Sequence, residues 1–249
     1  MKLVTIILAA GKGTRMKSDL PKVLHPILDV PMINYVVDTA KALNSDQIIV
    51  VVGHQHDKVI NTLNQYYDGL DYAIQSPQKG TAHAVLQTTK MISNEIDKHV
   101  LILSGDVPLI NKSTLRDMIL FHYDNNVDAT VMTTIEKDPT GYGRIIRDGN
   151  NMIKHIVEEK DIGNNDKIRE TKEVNCGIYM FRSNELFDKL PYVDNDNEQK
   201  EYYLPKVLEI FLQQGLRVQA YENTDMGETH GVNTIEQLHK IEEFLSKVI

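Results

Sequence analysis

The sequence contains a single cysteine, Cys176, and no tryptophan. One cysteine excludes an intrachain disulfide and any metal site built from several thiolates, and it suits a reducing compartment. No apolar run approaches the ~18 residues that a membrane span needs. The apolar stretch near the N-terminus is too short for a signal peptide and lacks a convincing cleavage site. These absences predict a cytoplasmic globular protein with no membrane partner.

Positive charge is also scarce. The chain has 27 lysines and arginines against 35 aspartates and glutamates, and its net charge is -8. Nucleic-acid-binding proteins usually carry a basic face, so nucleic acid is not expected as a partner. The exception is residues 1–23, where Asp19 is outnumbered by five basic residues, Lys2, Lys12, Arg15, Lys17 and Lys22. A local basic cluster on an acidic protein predicts a small anionic ligand.

Short apolar runs rich in β-branched residues alternate with longer amphipathic stretches. This pattern predicts an α/β fold with a mostly parallel central sheet and helices on both faces. The predicted strands are 4–8, 47–52, 71–75, 99–103, 129–134, 177–181 and 216–221. The predicted helices are 31–43, 57–66, 80–91, 113–125, 200–213 and 234–247. The polar segments 161–170 and 193–201 are predicted to be exposed loops.

The start of the last helix carries a sequence signal. Asn233, followed three residues later by Glu236, resembles a capping box built on asparagine. Its spacing therefore favours a capping role for Asn233.

A glycine-bearing segment, AAGKGTRMKSDLPK at residues 9–22, directly follows the first predicted strand. Gly11 and Gly13 fit the first two glycines of a dinucleotide-binding loop, and the segment nearly matches a Walker A loop as well. Met16, however, stands where each motif requires glycine. Two interpretations stay open: a loop whose backbone N–H groups and basic side chains bind a triphosphate, or a tight turn with solvated lysines.

Motifs along nearly the whole chain carry a family resemblance. LAAGKGTRM with the following PKVLH resembles the signature of sugar-1-phosphate nucleotidyltransferases, and PKVLHPILDVPMINYV is similar to the bacterial N-acetylglucosamine-1-phosphate uridyltransferases. The further motifs follow in the family's order: VVGH, QKGTAHAV, GDVPLI, PTGYGRI, IVEEKD, VNCGIY, EYYLPKVL and GVN. The resemblance implies a Rossmann-like nucleotidyltransferase fold in a single domain, 1–249. It would have a nucleotide-binding half at about 1–110, a sugar-binding half at about 111–233 and a C-terminal helix at 234–249.

The resemblance also implies roles for individual residues. Arg15, Lys22 and Asp106 match catalytic positions, and Asp106 and Asn233 match ligands of Mg²⁺. From position alone, Asp106 is better explained as the residue that opens the turn before Pro108. Gln75 and the backbone of Gly80 match positions that bind the uracil base. The other implied substrate-binding residues are Leu8, Ala9, Ala10, Gly11, Gly13 and Thr81, and, for the sugar, Gly143, Glu158 and Asn175.

The implied reaction is transfer of UMP from UTP to N-acetylglucosamine 1-phosphate, with Mg²⁺ as cofactor and pyrophosphate as the second product. Because the chain ends at Ile249, no acetyltransferase domain is predicted, and homo-oligomerisation is left open. Ser104 and Cys176 depart from the family pattern beside the sugar-binding positions, so the sugar is less defined than the reaction. Three alternatives remain: a nucleotidyltransferase for another base or sugar, a catalytically silent ligand-sensing homologue, and a nicotinamide-dependent dehydrogenase, which Met16 disfavours.

Overall fold

A computed structural model describes residues 2–92 and 98–247. The strands are β1 Lys2–Ala9, β2 Pro26–Ile27, β3 Val30–Pro31, β4 Gln47–Val52, β5 Asp71–Ile74, β6 Lys98–Ser104, β7 Ala129–Ile135, β8 Gly143–Arg147, β9 Ile153–Val157, β10 Glu173–Arg182 and β11 Val218–Glu222. The helices are α1 Met32–Ala42, α2 His56–Leu63, α3 Thr81–Leu86, α4 Lys112–Asp124, α5 Asp166–Arg169, α6 Ser183–Lys189, α7 Pro205–Gln213 and α8 Ile235–Leu245.

The strands form one large sheet in the order β11-β7-β10-β6-β1-β4-β5. β1 lies parallel between β4 and β6, and β5 and β11 are also parallel to their neighbours. β10 is antiparallel to both β6 and β7, and the β8–β9 hairpin joins the sheet through β10. The predicted α/β fold with a mostly parallel sheet is confirmed.

Helices cover both faces of this sheet. Along β1, Val4 and Ile6 point into a core shared with α3, α6 and α7, whereas Leu3 and Ile7 point into a core shared with α1, α2 and α4. This alternation follows from the two-residue period of a strand. Burying one such aliphatic side chain contributes about 1.5–3 kcal/mol, so the strand with apolar residues on both faces becomes the centre of the sheet.

The carboxyl ends of the central strands meet at one edge of the sheet. Beyond β6, the Gly105 N–H donates to the carbonyl of Leu8 at 2.9 Å, and beyond β4 the His54 N–H donates to the carbonyl of Ala10 at 3.4 Å. In open α/β sheets ligands bind at this edge, because the loops that follow neighbouring strands converge there. The glycine-bearing segment lies at this edge.

The C-terminal helix α8 fastens that segment to the rest of the protein. Met16 is 2% exposed and packs in a small apolar cluster with Ile27, Met32, Val232, Leu238 and Ile241. The side chain that replaces the expected glycine is therefore an apolar anchor. It ties the loop to α8 and to the short β2–β3 hairpin.

The predicted cap of α8 is wrong by one residue. Thr234 is the N-cap: its Oγ1 accepts from the Gln237 N–H, and Gln237 Oε1 accepts from the Thr234 N–H, so the capping box is Thr234 with Gln237. The side-chain oxygen of Asn233 instead accepts hydrogen bonds from Arg15 and Lys22. The side chain of Asn233, which the sequence spacing assigned to helix capping, thus points toward the glycine-bearing segment.

Two predicted helices are shorter than expected. The helix predicted at 80–91 ends at Leu86, and the one predicted at 200–213 begins only at Pro205. Residues 201–204 are not helical because the backbone of Tyr202 bonds to the loop before α3, accepting from Ala82 N–H and donating to Lys79 O, each at 2.8 Å. The strand predicted at 177–181 spans 173–182, and 161–170 contains α5. β8, β9 and α6 were not predicted.

None of the helices in residues 2–92 and 98–247 is long and apolar enough to span a membrane.

A buried polar chain lies between α4 and the sheet. His122 is fully buried, its Nδ1 lies 2.8 Å from Thr130 Oγ1, and its Nε2 lies 3.0 Å from His99 Nδ1. Burial, with smaller contributions from His99 and Arg182, lowers the pKa of His122 from 6.5 to about 3. His122 is therefore neutral in the folded protein at every pH at which the chain is expected to work.

The lowered pKa of His122 predicts that the folded protein loses stability in acid. The unfolded chain takes up a proton at His122 near pH 6.5 and the folded one only near pH 3, so the free energy of unfolding falls as pH drops below 6.5. Replacing His122 with Gln should reduce this slope by up to about 1.4 kcal/mol per pH unit. Urea unfolding between pH 5 and 8 measures it. His239→Gln, on the exposed face of α8, is the control and should keep the wild-type slope; equal slopes for all three proteins would contradict the assignment.

Candidate active site

A cavity of about 530 Å³ opens at the carboxyl end of β1. Most of the predicted site residues line it: Leu8, Ala9, Ala10, Gly11, Gly13, Arg15, Lys22, Gln75, Gly80, Thr81, Asp106 and Asn233. The remaining three, Gly143, Glu158 and Asn175, line an adjoining cavity of about 400 Å³. The structure thus brings every predicted residue to one of two neighbouring cavities, while their roles stay predictions.

The glycine-bearing segment contains no α-helix. Gly13 has a φ of +61°, and a Cβ built on it would lie 2.4 Å from Lys22 Cβ, so only glycine fits this approach. Two 3-10 turns follow, at Thr14–Met16 and Lys22–Leu24, and α1 begins only at Met32. A dinucleotide loop or a Walker A loop leads directly into an α-helix. This described stretch does not, which agrees with the exclusion of both motifs.

A cluster of two cations and two oxygen-bearing side chains lies at the junction of the cavities. Lys22 Nζ contacts Asp106 Oδ2 and lies 2.7 Å from Asn233 Oδ1, and Arg15 Nη2 donates to the same Asn233 oxygen at 2.7 Å. The side chains of Lys22 and Asp106 are 13% and 23% exposed. The Asp106 carboxylate offsets part of the repulsion between the two cations, and partial burial strengthens these interactions relative to those in open water.

The oxygens of Asp106 and Asn233 are held at the same point by the backbone. Asp106 follows β6, Asn233 precedes α8, and the Val232 N–H donates to the carbonyl of Asp106 at 2.8 Å. Both side chains direct an oxygen at one positive charge, the ammonium of Lys22. A carboxylate and an amide oxygen are ligands that Mg²⁺ prefers. The pair therefore fits a magnesium site.

A magnesium ion here would need ligands from elsewhere. Within residues 2–92 and 98–247, no group of three or more His, Cys, Asp or Glu side chains is placed to hold a metal. Mg²⁺ commonly takes one or two protein oxygens, water and substrate phosphates rather than a complete protein cage. Two protein oxygens beside the basic glycine-bearing segment match that arrangement.

The far end of the larger cavity is closed by a buried amide. Gln75 is 3% exposed, and its Nε2 donates to Gly80 O at 2.9 Å and lies 3.0 Å from His83 Nδ1. Gly80 has a φ of +106°, and a Cβ there would lie 2.6 Å from the carbonyl oxygen of Tyr202. Because the Gln75 nitrogen is engaged within the protein, Oε1 is the atom available to a ligand. The orientation of this amide follows from its hydrogen bonds.

The smaller cavity lies where β8, β9 and β10 come together. Gly143 begins β8, Glu158 follows β9, and Asn175 lies in β10. Asn175 Nδ2 donates to Tyr179 Oη at 2.6 Å, and its Oδ1 accepts from the Gly177 N–H at 3.0 Å. The pairing of β10 with β7 shifts register between Asn175 and Tyr179, which turns the Asn175 side chain to the cavity wall.

Glu158 is a partly buried acid in the wall of the smaller cavity. Burial and the nearby charge of Asp161 raise its pKa from 4.5 to about 7. Its Oε1 lies 3.1 Å from the position of a Cβ on Gly143, so a side chain there would crowd the carboxyl. Near neutral pH this group exists both as a carboxylate, which accepts hydrogen bonds, and as an acid, which also donates one. Both forms suit the hydroxyl and amide groups of a sugar.

Sequence reasoning missed residues that the structure adds to the site. Glu201 lines both cavities, and Tyr142 and Tyr179 line the smaller one. Glu201 and Tyr142 belong to the EYYLPKVL and PTGYGRI motifs, but no local signal marks either residue as part of a cavity wall. A third cavity, about 720 Å³, lies on the other side of Glu158. Neither Lys22 nor the glycine-bearing segment lines it, and Glu158 is the one predicted site residue in its lining.

The raised pKa of Glu158 predicts that the protein becomes more stable at alkaline pH when this carboxyl is replaced by an uncharged group. Its folded-state pKa is raised, so its contribution to the free energy of unfolding is complete below pH 4.5 and is lost as pH rises through about 7. At pH 8, Glu158→Gln should raise that free energy by about 1–3 kcal/mol, and at pH 4.5 the gain should vanish. Denaturant titration at the two pH values measures it, with the exposed Glu170→Gln as control. A Glu158 variant that is less stable than wild type at pH 8 would refute the assignment.

Comparison with known proteins agrees with this geometry. The family model described as "Nucleotidyl transferase" matches residues 4–243. The bifunctional protein GlmU of Alkaliphilus metalliredigens is 44% identical over 249 residues, which covers 100% of this chain and 53% of that protein. The bifunctional protein GlmU of Bacillus subtilis is 41% identical with the same coverage. The chain thus spans about half the length of the curated relatives it matches.

Solved structures share the fold at low sequence identity. A UDP-glucose pyrophosphorylase complexed with UDP-glucose superposes with a TM-score of 0.78 at 20% identity and covers 100% of both chains. A putative glucose-1-phosphate thymidylyltransferase from Bacillus anthracis gives 0.76 at 20% identity, covering 99% of this chain and 96% of that one. With the match over residues 4–243 and the curated relatives above, the chain belongs to the nucleotidyl transferase family.

Proposed function

We propose that this chain transfers UMP from UTP to N-acetylglucosamine 1-phosphate and releases pyrophosphate, with Mg²⁺ as cofactor. The observation that carries the proposal is the junction of the two cavities, where Arg15, Asp106 and Asn233 line both. A transfer between two phosphate compounds requires such a junction, because attacking and leaving oxygens must lie on opposite sides of one phosphorus. The 44% and 41% identity to GlmU proteins supports the choice of UTP and an amino sugar phosphate.

The larger cavity is assigned to UTP. The glycine-bearing segment leaves backbone N–H groups near the phosphates, and Arg15 and Lys22 add two positive charges at the junction. The buried Gln75 lies beside Gly80 at the opposite end and is assigned to the uracil base. The smaller cavity, with Gly143, Glu158 and Asn175, is assigned to the sugar.

The proposed chemistry is electrostatic and positional. A sugar phosphate has a second pKa near 6, so the nucleophile is largely ionised at neutral pH and needs no enzymic base. The barrier that remains is the repulsion between two anions and their alignment. Lys22 and Arg15 offset that repulsion, and Asp106 with Asn233 would hold Mg²⁺. When bound, Mg²⁺ neutralises charge on the phosphate oxygens. A cytoplasmic location, where UTP is made available, fits this proposal.

A different base or sugar is the second candidate. The thymidylyltransferase and UDP-glucose pyrophosphorylase structures show that this fold accompanies other substrates. Ser104, a small side chain that lines both cavities, leaves room for such variation. A catalytically silent homologue is disfavoured because Lys22, Asp106 and Asn233 are all present and in contact.

Pyrophosphate release tests the proposal. Wild type is assayed with Mg²⁺ and a panel of nucleoside triphosphates and sugar 1-phosphates, and we expect UTP with N-acetylglucosamine 1-phosphate to give the highest kcat/KM. Asp106→Ala should lower that value by about 100-fold or more, because it removes the carboxylate that would hold Mg²⁺ beside the reacting phosphates. Asp117→Ala, an exposed carboxylate on α4, should retain the wild-type value.

Two results would overturn the proposal. Wild-type kcat/KM in Asp106→Ala would remove Asp106 from the reaction. Equal use of glucose 1-phosphate and N-acetylglucosamine 1-phosphate would remove the acetamido specificity and favour the second candidate.

A further inference from the structure

A buried ion pair lies behind the smaller cavity. Arg144 is 1% exposed, its Nη2 lies 2.8 Å from Glu159 Oε2, and its Nη1 donates to the carbonyl of Tyr142. The side chain of Glu159 is 35% exposed, so the guanidinium is deep in the protein and the carboxylate closes it off from solvent. In the sequence Glu158 and Glu159 are simply adjacent acids. The structure separates their roles.

The pair joins the ends of the strands that carry the sugar-site residues. Arg144 pairs with Val157 across the β8–β9 hairpin and with Val174 across β8 and β10, and Gly143 pairs with Asn175. Tyr142 and Gly143 precede Arg144 in the chain, and Glu158 precedes Glu159. The Arg144 side chain therefore links the two backbone segments that carry Gly143 and Glu158, and Glu158 Oε1 lies 3.1 Å from where a Cβ on Gly143 would be.

The energetics of this pair favour a positioning role. Taking a guanidinium out of water is costly, and a buried ion pair is often no more stabilising than apolar side chains of the same volume. What the pair supplies instead is geometry, because the planar guanidinium is held at once by the Tyr142 carbonyl, to which Nη1 donates, and by the charge of Glu159, which pairs with Nη2 without forming a hydrogen bond. The Glu158 carboxyl depends on this geometry because it lies so close to the Gly143 backbone that even a Cβ there would be 3.1 Å from Oε1.

We propose that Arg144 and Glu159 are positioning residues for the sugar phosphate: together they fix the Tyr142–Gly143 backbone and the Glu158 backbone at the spacing that the sugar requires. They touch neither the larger cavity nor Lys22, so they act on sugar binding and not on nucleotide binding. This inference rests on the proposed function, in which the smaller cavity holds the sugar.

The same strand offers a matched control. Arg147, three residues along β8, forms an ion pair with Glu173, with Nη2 to Oε1 at 2.6 Å and Nε to Oε2 at 2.7 Å. Arg147 is 26% and Glu173 12% exposed, and neither lines either cavity. Loss of this pair weakens the same β8–β10 region without reaching the sugar site. A purely structural role for Arg144 would make the two arginines equivalent.

Steady-state kinetics with both substrates varied tests the proposal, together with thermal unfolding of each variant. The assay uses the sugar 1-phosphate for which wild type has the highest kcat/KM. An error in the proposed sugar therefore appears with wild type alone and is not confused with the effect of a substitution. Arg144→Met should raise KM for the sugar phosphate by about 10-fold to 100-fold, the scale expected when a bound group is misplaced by about 1 Å. KM for UTP should stay within about twofold of wild type.

Three further variants sharpen the test. Arg144→Lys keeps a charge opposite Glu159 but loses the fixed fork, so its KM for the sugar phosphate should fall between those of wild type and Arg144→Met. The Arg144→Met/Glu159→Gln double variant should be no worse than Arg144→Met, because the two residues act as one unit. Arg147→Met should lower the melting temperature and leave both KM values unchanged.

Several outcomes would overturn the inference. These are parallel rises in both KM values for Arg144→Met, a sugar-phosphate KM in Arg147→Met that rises as much as in Arg144→Met, and a lower melting temperature with unchanged kinetics. If Arg144→Met does not fold, Glu159→Gln decides, because it keeps the shape of a half-exposed side chain and removes only the charge. An unchanged sugar-phosphate KM in folded Glu159→Gln then refutes the proposal.

Discussion

The contact of Lys22 with the oxygens of Asp106 and Asn233 is the interaction on which the site depends. It joins three distant parts of the chain: the turn after the glycine-bearing segment, the end of β6 and the residue before α8. Each part is fixed by its own packing or hydrogen bonds. Met16 anchors the segment in the apolar cluster of α8, and the Val232 N–H holds the carbonyl of Asp106 at 2.8 Å. The two oxygens are therefore held at one point by interactions other than the contact with Lys22, as the proposed cation site at the edge of the sheet would require.

The charge around this junction is divided between the two cavities. Lys22 lines the cavity assigned to the triphosphate and Arg15 lines both, whereas the cavity assigned to the sugar holds the partly buried Glu158. A carboxyl whose pKa is raised to about 7 by burial works against folding at alkaline pH, and no neighbouring cation offsets it fully. Perturbed groups of this kind concentrate at functional sites, where stability is given up for binding chemistry. The Arg144–Glu159 pair lies directly behind this group and restrains the backbone on both sides of it.

Local sequence signals predicted the parts of the fold that depend on local physics. The strand at the apolar run of β1 was predicted correctly, because strand burial is a property of the residues themselves. Features that depend on partners distant in the sequence were predicted incorrectly or not at all. The helix predicted from residue 200 begins only at Pro205, because the backbone of Tyr202 bonds to the loop before α3. The cap of α8 shifts to Thr234 because the Asn233 side chain binds Lys22. The pair of Arg144 with Glu159 could not be predicted, because the two residues become neighbours only when β8 and β9 pair. The family motifs identified the candidate site residues, whereas the distances between these residues follow from the folded sheet.

The central claim is that Asp106 and Asn233 form a divalent-cation site at the junction of the cavities. The most direct measurement is a crystal structure of the chain with UTP and Mn²⁺, collected at a wavelength where manganese scatters anomalously. The account predicts one anomalous peak within about 2.5 Å of an oxygen of Asp106 and of Asn233 Oδ1, next to a phosphate oxygen, with Lys22 Nζ moved away from Asp106. An anomalous peak elsewhere on the protein, or bound UTP with no peak between these two side chains, would contradict it.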